Sequence, residues 1–416
     1  MFFKVKTTEE VLKIIEGFGA VDQEMVPIDK ALGRILSEEV RSPEDLPGFS
    51  RSSMDGFAVK SKDTYGATES LPALLEVKGE VRMGRIPNKI LEGGKAVKIS
   101  TGGMLPQGAD GVVMLEHCHI LDENTIEVSR AITPYENVIQ PDDDYKKGAT
   151  VLSKGHRFRP QDLGAMAGLG LSEINAYRRP KVAIISTGDE VVPVDQSPNP
   201  GQVRDINSYT LGAFCKQMGV HPMIFGLCRD HFEHLRALVE RGLMEADTVW
   251  ISGGSSVGAR DLTLEVFESF EGMEVLVHGI SISPGKPTII ARMDSKAIFG
   301  LPGHTASAMV VAEVFLIPFL GRLSGEHHAQ NGLCHFIDAR LTRNIASASG
   351  REDYIRVKLL KEGQEWLAEP IFGKSGLIST LVDADGLLKV DLNTEGLYMD
   401  QIVRVMIFPN SQGGFF

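Results

Sequence analysis

Residues 181–190 read KVAIISTGDE, an apolar, β-branched run that ends in a glycine and two carboxylates. Apolar runs of the same kind recur at residues 222–228 (PMIFGLC), 247–252 (DTVWIS), 288–290 (TII) and 296–301 (KAIFGL). Stretches with helical periodicity separate most of these runs. Strands that alternate with helices at this spacing are typical of a doubly wound, mainly parallel sheet. The sequence therefore predicts an α/β domain over residues 178–326.

The chain on either side of this domain has a different pattern. At the start, Thr7 and Glu10 have the spacing of a capping box ahead of apolar residues at helical intervals, and a second amphipathic stretch covers residues 28–36. Short β-like runs between glycine and proline turns follow, and they return beyond the α/β domain. We therefore expect a multidomain α/β and β protein. The predicted domains are an N-terminal α+β region (1–40 with 142–177), a β-rich inserted domain (41–141), the α/β domain (178–326) and a C-terminal β-barrel-like domain (327–416).

The charge balance excludes one class of function. Asp and Glu number 55 against 43 Lys and Arg, a net charge of −12, whereas a dedicated nucleic-acid binder would be basic. An anionic small substrate stays compatible with this balance, because a cleft can be positive on an acidic protein. We expect no nucleic-acid partner.

The sequence also predicts neither a membrane span nor secretion. The most apolar stretch, residues 309–320, is interrupted by Glu313 and Pro318, which is typical of a core helix. The N-terminus lacks the apolar segment of a signal peptide. The four cysteines are far apart and form no CxxC pair, so the pattern indicates neither a disulfide framework nor a structural zinc site. These features favour the reducing cytoplasm.

Turns of unusual composition follow four of the predicted strands. Ligands of a doubly wound sheet bind beyond the carboxyl ends of its strands, where such turns meet. Glycines there bring backbone N–H groups close to an anion, and a helix N-terminus adds favourable partial charge. One glycine turn alone is more often only a tight turn, but several at one edge favour an anion site. The glycines concerned are Gly188, Gly253, Gly254, Gly258 and Gly303, and Lys286 in the loop SPGKP would add positive charge.

Carboxylates lie at the same strand ends. Asp189 and Glu190 follow the first strand, Asp230 the second and Asp261 the third. Acids beside an oxyanion site are reasonable where a hard divalent cation lies between them, since bare anions repel one another. Their convergence predicts Mg²⁺. The chain has no Walker A, GxGxxG or GxSxG motif, so these residues alone do not define the reaction.

Longer motifs, in this order, resemble the molybdopterin molybdenumtransferases, the family of the MoeA proteins, the gephyrin E domain and the plant molybdenum insertase. Several long motifs in order are far more specific than one alone, and together they cover essentially the whole chain. The motifs are LPGFSRSSMDGFAV (46–59), STGGMLPQGADGVVMLE (100–116), ISTGDE (185–190), RDINS (204–208), SGGSSVGARD (252–261), SPGKP (283–287), GLPGHTASA (300–308) and KSGLISTLVDADGLLKV (374–390).

The resemblance implies an elongated homodimer of four-domain subunits, with an α/β domain of the molybdenum-cofactor-binding type. Such proteins bind adenylylated molybdopterin and molybdate, hydrolyse the adenylyl linkage in an Mg²⁺-dependent step that releases AMP, and insert molybdenum into the dithiolene. The active site would lie between the α/β domain of one subunit and the Met-Asp-Gly motif of the other. The molybdopterin-adenylylating protein and recipient molybdoenzymes would be the partners.

The resemblance also assigns residues, motif by motif. The catalytic candidates are Asp55 in SMDGFAV, Thr101 in STGG, Glu190 in TGDE, Asp230 in CRD and Asp261 in GARD; Glu190, Asp230 and Asp261 would hold Mg²⁺. The candidates for substrate contact are Gly188, Asp189, Gly253, Gly254, Ser256, Gly258, Lys286, Pro302, Gly303, Ser307 and Asp144.

Two departures from the family pattern leave alternatives open. The family usually has Pro-Gly-Asn-Pro where this chain has Pro302-Gly303-His304-Thr305, and the usual arginine-rich approach to Asp144 is replaced by residues 139–143, IQPDD. A tungstate-selective paralogue and a non-catalytic carrier or scaffold are therefore alternative hypotheses. A third, an amidohydrolase of the competence-damage-inducible group, shares a turn like ISTGDE but is disfavoured by the SMDGFAV region and the β-rich tail.

Overall fold

The structure, a computed structural model, describes residues 5–253, 262–326 and 335–408. The chain forms two compact units. The first comprises Met1–Glu38, Gly155–Arg159 and Glu173–Phe416, and the second comprises Glu39–Lys154 and Pro160–Ser172. This division into two units does not test the boundaries of the four predicted domains, which remain a prediction.

The first unit contains the doubly wound sheet. Its strand order is His221–Cys228, Lys181–Thr187, Thr248–Ser252, Lys296–Leu301, Ile289–Met293 and Met273–His278. The first four strands are parallel, and the last two join by antiparallel pairing. The helices are Asn207–Gln217, Phe232–Glu245, Leu262–Glu268 and Thr305–Leu323. The predicted α/β fold and mainly parallel sheet are confirmed.

Alternate side chains of the strand Lys181–Thr187 enter two different cores, which explains why the strand is apolar throughout. Ile184 belongs to the core formed with helices Asn207–Gln217 and Thr305–Leu323. Ile185 belongs to the opposite core, formed with helices Phe232–Glu245 and Leu262–Glu268. Because successive strand residues point to opposite faces, a strand covered by helices on both sides loses its polar face.

Helix Thr305–Leu323 is long and apolar enough to cross a membrane by length and composition alone, but 78% of its 18-residue apolar window is buried inside the fold. Its middle, Ala312–Leu316, is π-helical, and it continues as Ile317–Leu323 with Pro318 in the first turn of that segment. Phe315 and Phe319 are fully buried in the first unit's core. The helix is therefore a core helix, as its interrupting Glu313 and Pro318 predict.

The N-terminal helix Thr8–Glu16 has the predicted capping box. The Thr7 hydroxyl accepts the Glu10 amide proton at 3.3 Å, and the Glu10 carboxylate accepts that of Thr7 at 2.8 Å. The second amphipathic stretch differs from a regular helix: only Ile28–Lys30 forms a 3-10 turn. Gly33 then adopts a φ of +74°, which ends helical geometry, and the following residues form β-bridges.

The end of the first unit is a closed five-stranded barrel, as the β-barrel-like prediction requires. Around the barrel the strands are Glu352–Glu362, Glu365–Pro370, His335–Leu341, Ile402–Ile407 and Gly386–Val390, which pairs back with Glu352–Glu362. Ile282–Ser283, from the α/β part of the chain, adds a short parallel pairing to Glu352–Glu362. This pairing connects the loop containing Lys286 with the barrel.

The second unit is β-rich, as predicted for the inserted region. Its six-stranded sheet has the order Gly111–Met114, Gly56–Val59, Lys95–Ile99, Ala73–Glu80, Thr125–Val128 and Cys118–Asp122. Phe57, Val113 and Ile126 are among the residues of its core. Helix Pro160–Gly168 also belongs to this unit.

Shorter elements complete the described chain. In the first unit they are strands Gln23–Pro27 and Glu173–Tyr177, which pair with each other, strands Val191–Val192, Val203–Arg204, Ile345–Ala346 and Gly396–Leu397, and helix Ser379–Val382. In the second unit they are strands Val40–Arg41, Arg51–Ser52, Val138–Ile139 and Thr150–Leu152, and the 3-10 turns Ser61–Thr64 and Leu115–His117.

Candidate active site

A cavity of about 1550 Å³ lies at the carboxyl ends of three parallel strands of the first unit. Thr187, Ser252 and Pro302, at or just past those ends, line it, and the barrel segments 348–356 and 371–376 also contribute. This is the edge at which a doubly wound sheet binds ligands. Of the predicted glycines, Gly253 and Gly303 line this cavity, as does Glu190 in the turn that contains Gly188.

The turn after the first strand divides its acids between two environments. Glu190 lines the cavity. Gly188 adopts a φ of +147° and donates its amide proton to the Cys228 carbonyl at 3.1 Å. A β-carbon at Gly188 would lie 2.8 Å from a carboxylate oxygen of Glu190. A side chain at position 188 would thus displace Glu190, the predicted metal ligand that lines the cavity among the residues that the structure describes.

Asp189 and Asp230 meet each other beside this turn. The Asp230 amide donates to Asp189 Oδ1 at 3.2 Å, and the Thr187 hydroxyl donates to Asp230 Oδ1 at 2.9 Å. The parallel pairing of Lys181–Thr187 with His221–Cys228 makes this contact possible, because it aligns the two strand ends. Two acids separated by 41 positions are therefore neighbours, as the argument from strand ends predicts.

Position 253, like position 188, requires a glycine. Its φ is +113°, and a β-carbon there would lie 2.1 Å from the Thr187 carbonyl oxygen. Only glycine allows the ends of these neighbouring strands to approach so closely. The predicted site residues Gly254, Ser256, Gly258 and Asp261 lie outside the residues that the structure describes.

Asn207 is a buried residue of this site that the sequence argument missed. Its Nδ2 donates to Ser252 Oγ at 2.5 Å and to the Gly303 carbonyl at 2.8 Å, so it links two strand-end turns. Its Oδ1 is buried and has no partner among the residues that the structure describes. Asn207 lines the cavity. Asn207 belongs to the RDINS motif, which supports the family resemblance but by itself gives this residue no role.

Asp205, also in RDINS, organises the start of helix Asn207–Gln217. Its Oδ1 accepts the Ser186 hydroxyl and the Ser208 amide, each at 3.0 Å. An acid that accepts an amide three residues later is a common way to begin a helix. This spacing is the signal by which the sequence could have identified Asp205, which also lines the cavity.

Lys286, a predicted substrate contact, lies in the cavity wall. The preceding Gly285 has a φ of +119°, and a β-carbon on it would lie 2.7 Å from Ile282 and 2.8 Å from Val311. The Lys286 carbonyl accepts the Ile280 amide at 2.9 Å. The loop is thus packed tightly at glycine and fixed by backbone bonding, which holds the lysine at one place in the wall.

Pro302, Gly303 and Ser307 also line the cavity, where the last parallel strand enters helix Thr305–Leu323. His304 lies between them. Its Nδ1 lies 3.0 Å from the Ser375 hydroxyl, and the Ala306 amide donates to the Ser375 carbonyl at 3.2 Å. The turn is therefore joined to the barrel segment that contains the KSGLISTLV motif.

Arg356 is a charged residue of the barrel wall that no sequence argument identified. It is 6% exposed; one terminal nitrogen donates to the Gly373 carbonyl at 2.9 Å, and its Nε has no partner among the described residues. Burial lowers the pKa of this guanidinium. Nothing in its alternating strand sequence distinguishes Arg356 from a solvent-facing arginine, so only the fold shows that it borders the cavity.

The remaining predicted residues belong to the second unit. The Thr101 amide donates to Asp55 Oδ1 at 2.8 Å, and the Thr101 hydroxyl lies 3.2 Å from the same oxygen. The structure thus joins two catalytic candidates that lie 46 positions apart. Asp144 is exposed and its amide donates to the Leu46 carbonyl at 3.0 Å.

The carboxylates at the strand ends are the candidate ligands for a divalent cation. Glu190 offers the hard oxygen ligands that Mg²⁺ prefers, and Asp189, the residue before it, is hydrogen-bonded to the Asp230 amide. Within residues 5–253, 262–326 and 335–408, no group of three or more His, Cys, Asp or Glu side chains forms a metal site. Of Asp189, Glu190 and Asp230, only Glu190 lines the cavity, so a cation there would take its other ligands from phosphate and water, as Mg²⁺ commonly does, or from residues that the structure does not describe.

Comparison with known proteins places the chain in a family. Three family models match in order: the MoeA N-terminal region (domain I and II) over residues 6–170, a probable molybdopterin binding domain over residues 183–322, and the MoeA C-terminal region (domain IV) over residues 338–408. Together they cover most of the chain.

Individual relatives agree with these models. The chain is 33% identical over 337 residues to a molybdopterin molybdenumtransferase of Nostoc, covering 80% of this chain and 76% of that one. It is 31% identical over 392 residues to the enzyme of that name from Haemophilus influenzae, covering 94% and 95%. A crystal structure of a molybdopterin biosynthesis MoeA protein from Pyrococcus horikoshii is 37% identical, with a TM-score of 0.83, and the match covers 98% of this chain and 100% of that one. The chain belongs to the MoeA family of molybdopterin molybdenumtransferases, enzymes of molybdenum-cofactor biosynthesis.

Proposed function

We propose that this protein inserts molybdenum from molybdate into adenylylated molybdopterin, with Mg²⁺-dependent release of AMP. The observation that carries the proposal is the cavity at the strand ends. Its volume of about 1550 Å³ exceeds the roughly 300–1,000 Å³ of pockets for drug-sized ligands, and a pterin joined to a nucleotide needs such a space. Its wall combines Lys286 and Arg356 with the glycine turns.

The charge of the cavity suits an anionic substrate. Among its described lining residues, Lys and Arg (Arg204, Lys286, Arg351, Arg356) outnumber Asp and Glu (Glu190, Asp205) by four to two. This holds although the whole chain has a net charge of −12. A locally positive wall binds phosphate and other oxyanions and stabilises negative charge that develops on them.

Glu190 and Asp230, with Asp261, are the residues we propose to hold Mg²⁺. When bound, Mg²⁺ supplies charge neutralisation at the pyrophosphate. Lys286 would bind an oxygen of the phosphate that carries the developing charge, and the turn at Gly253 would keep the wall close to it. Asp189 would position Asp230 through its hydrogen bond to the Asp230 amide.

Asp55 and Thr101 are proposed to act from a second copy of the chain in a homodimer, as the family resemblance implies. The pair is pre-organised, since both the amide and the hydroxyl of Thr101 approach one Asp55 oxygen. The second Asp55 oxygen is then available to a ligand. The adenylylating protein that supplies the substrate and the molybdoenzymes that receive the product are the proposed partners, in the cytoplasm.

The test is AMP release from adenylylated molybdopterin with Mg²⁺ and either molybdate or tungstate, measured by chromatography. Molybdate-stimulated AMP release that Glu190→Gln abolishes supports the proposed insertase, whereas Glu233→Gln, on the exposed face of helix Phe232–Glu245, should leave it unchanged. Stimulation by tungstate alone would instead establish a tungstate-selective enzyme. Tight substrate binding with no AMP from either oxyanion would overturn the proposal in favour of a carrier.

A further inference from the structure

His304, in the turn Pro302-Gly303-His304-Thr305, lines the cavity, and its surroundings are specific. The exposed imidazole lines the cavity between strand Lys296–Leu301 and helix Thr305–Leu323. The hydroxyl of Ser375 lies 3.0 Å from its Nδ1. The barrel segment therefore fixes the ring through Nδ1. The nitrogen that could contact a ligand is then Nε2.

The position of His304 favours a ligand contact over a structural role. It stands at the N-cap of helix Thr305–Leu323, yet its side chain makes no capping hydrogen bond. Asparagine, aspartate, serine and threonine are the preferred N-cap residues, and such a cap contributes about 1 kcal/mol. The turn is already joined to the barrel by the backbone bond from Ala306 to Ser375, so the imidazole is not the sole link. The histidine provides no helix cap, and its side chain lies in the cavity wall.

Hydrogen-bonding chemistry then defines what Nε2 offers. When the Ser375 hydroxyl donates to Nδ1, the proton of the neutral ring is on Nε2, which becomes a donor; in the imidazolium form both nitrogens donate. An anion favours both of these forms over the tautomer with a bare Nε2. Since the described residues of the cavity wall include more cationic than anionic side chains, an anion is the ligand they would attract.

We propose that His304 is a specificity-determining contact for a tetrahedral oxyanion, donating from Nε2 while Ser375 orients the ring through Nδ1. The inference rests on the proposed function and adds to it one further substrate contact. The oxyanion is a phosphate group of the substrate or the metal oxyanion itself, and the two sources are distinguished by the probes used below.

The test measures binding of three separate probes, inorganic phosphate, molybdate and tungstate, to the full-length protein by calorimetry. His304→Ala should weaken binding of at least one probe about tenfold, as loss of a hydrogen bond to a charged group does. His304→Gln, whose amide can replace the Nε2 donor, should retain affinity within about threefold. A loss confined to phosphate identifies the phosphate group, and a loss confined to molybdate and tungstate identifies the metal oxyanion.

Further variants separate contact from structure. His221→Asn changes an exposed histidine outside the cavity wall and should bind all three probes as the wild type does. Ser375→Ala should weaken binding less than His304→Ala, and the double variant should lose less than the sum of the two, because the residues act as one unit. Urea unfolding of each variant shows whether it is folded.

Two results would overturn the inference: wild-type protein that binds none of the probes, or a folded His304→Ala that binds all three like the wild type. Failure of the proposed function is a separate outcome. If wild-type protein releases no AMP but His304→Ala weakens oxyanion binding, the His304 contact stands and the insertase does not. If AMP is released and oxyanion affinity is unchanged by His304→Ala, the insertase stands and the contact does not.

Discussion

The carbonyl oxygen of Thr187 lies only 2.1 Å from the place that a β-carbon on Gly253 would occupy. The two residues stand at the ends of neighbouring parallel strands, Lys181–Thr187 and Thr248–Ser252. Residue 253 must also adopt a φ of +113°. Both the space and the backbone conformation therefore require glycine at the point where the chain leaves the sheet for the cavity wall.

Gly253→Ala should accordingly destabilise the protein and reduce AMP release. A positive φ in a non-glycine residue costs on the order of 1–3 kcal/mol, and the contact with Thr187 forces the two strand ends apart as well. Urea unfolding gives the change in stability. Gly272→Ala is the matched control, because its φ is +83° but no atom lies within 4 Å of the added carbon. Equal losses in the two variants would show that the close approach to Thr187 contributes nothing.

The buried amide of Asn207 should hold the turn at Gly303 in place. Asn207→Ala removes the donor to Ser252 and to the Gly303 carbonyl, and a buried group left without its partner costs about 1–3 kcal/mol. We expect lower stability and a higher KM for adenylylated molybdopterin, because Gly303 and Pro302 line the cavity. Asn199→Ala, in an exposed loop, serves as the control. An Asn207→Ala protein with wild-type unfolding and KM would contradict this role.

Short-range patterns account for the part of the fold that the sequence predicts. The apolar period that buries Ile184 and Ile185 on opposite faces is local, so the strands and the helices between them can be found from sequence. Glycine and acid at strand ends are equally local, and parallel pairing then brings Asp189 to Asp230. Such contacts follow from the type of sheet.

Long-range pairing accounts for what the sequence could not predict. Gln23–Pro27 pairs with Glu173–Tyr177, and no local pattern encodes a partner so far along the chain. Arg356 reaches the cavity only because the barrel closes beside it. The residues 28–36 have helical periodicity, but Gly33 with its positive φ and the bridges of Ile35 and Leu36 take the backbone out of a helix.

Glu313 should make stability fall as the pH rises. It is 8% exposed, in the π-helical segment Ala312–Leu316, and burial raises the pKa of its carboxyl from 4.5 to about 7. The folded state thus binds the proton more tightly than the unfolded chain. The stabilisation that the protonated Glu313 carboxyl gives the folded state is fully present below about pH 4.5. It is lost as the pH rises through about 7.

Glu313→Gln should remove this pH dependence of the free energy of unfolding, which is on the order of 3 kcal/mol by the linkage relation. The measurement is the free energy of unfolding in urea at about pH 5 and about pH 8. The wild type should be less stable at the higher pH than the variant, and the two should converge at the lower pH. Glu268→Gln, an exposed acid at the end of helix Leu262–Glu268, should follow the wild type. A pH profile of Glu313→Gln parallel to the wild type would refute the assignment.

The proposed sharing of residues between two copies predicts that two inactive variants restore each other. In a homodimer whose site combines Asp55 of one copy with Glu190 of the other, a mixed dimer of Asp55→Asn and Glu190→Gln has both changes in one site and none in the other. Random exchange makes half of the dimers mixed, so AMP release should return to about one quarter of the wild-type rate. Asp55→Asn mixed with Thr101→Val is the control: both residues act from the same side, since Thr101 bonds to Asp55 within one chain, and every site keeps one defect. Recovery in the first mixture but not in the second supports a shared site. No recovery in the first mixture, with exchange verified by mass spectrometry of tagged copies, means that each copy uses only its own Asp55 and Glu190.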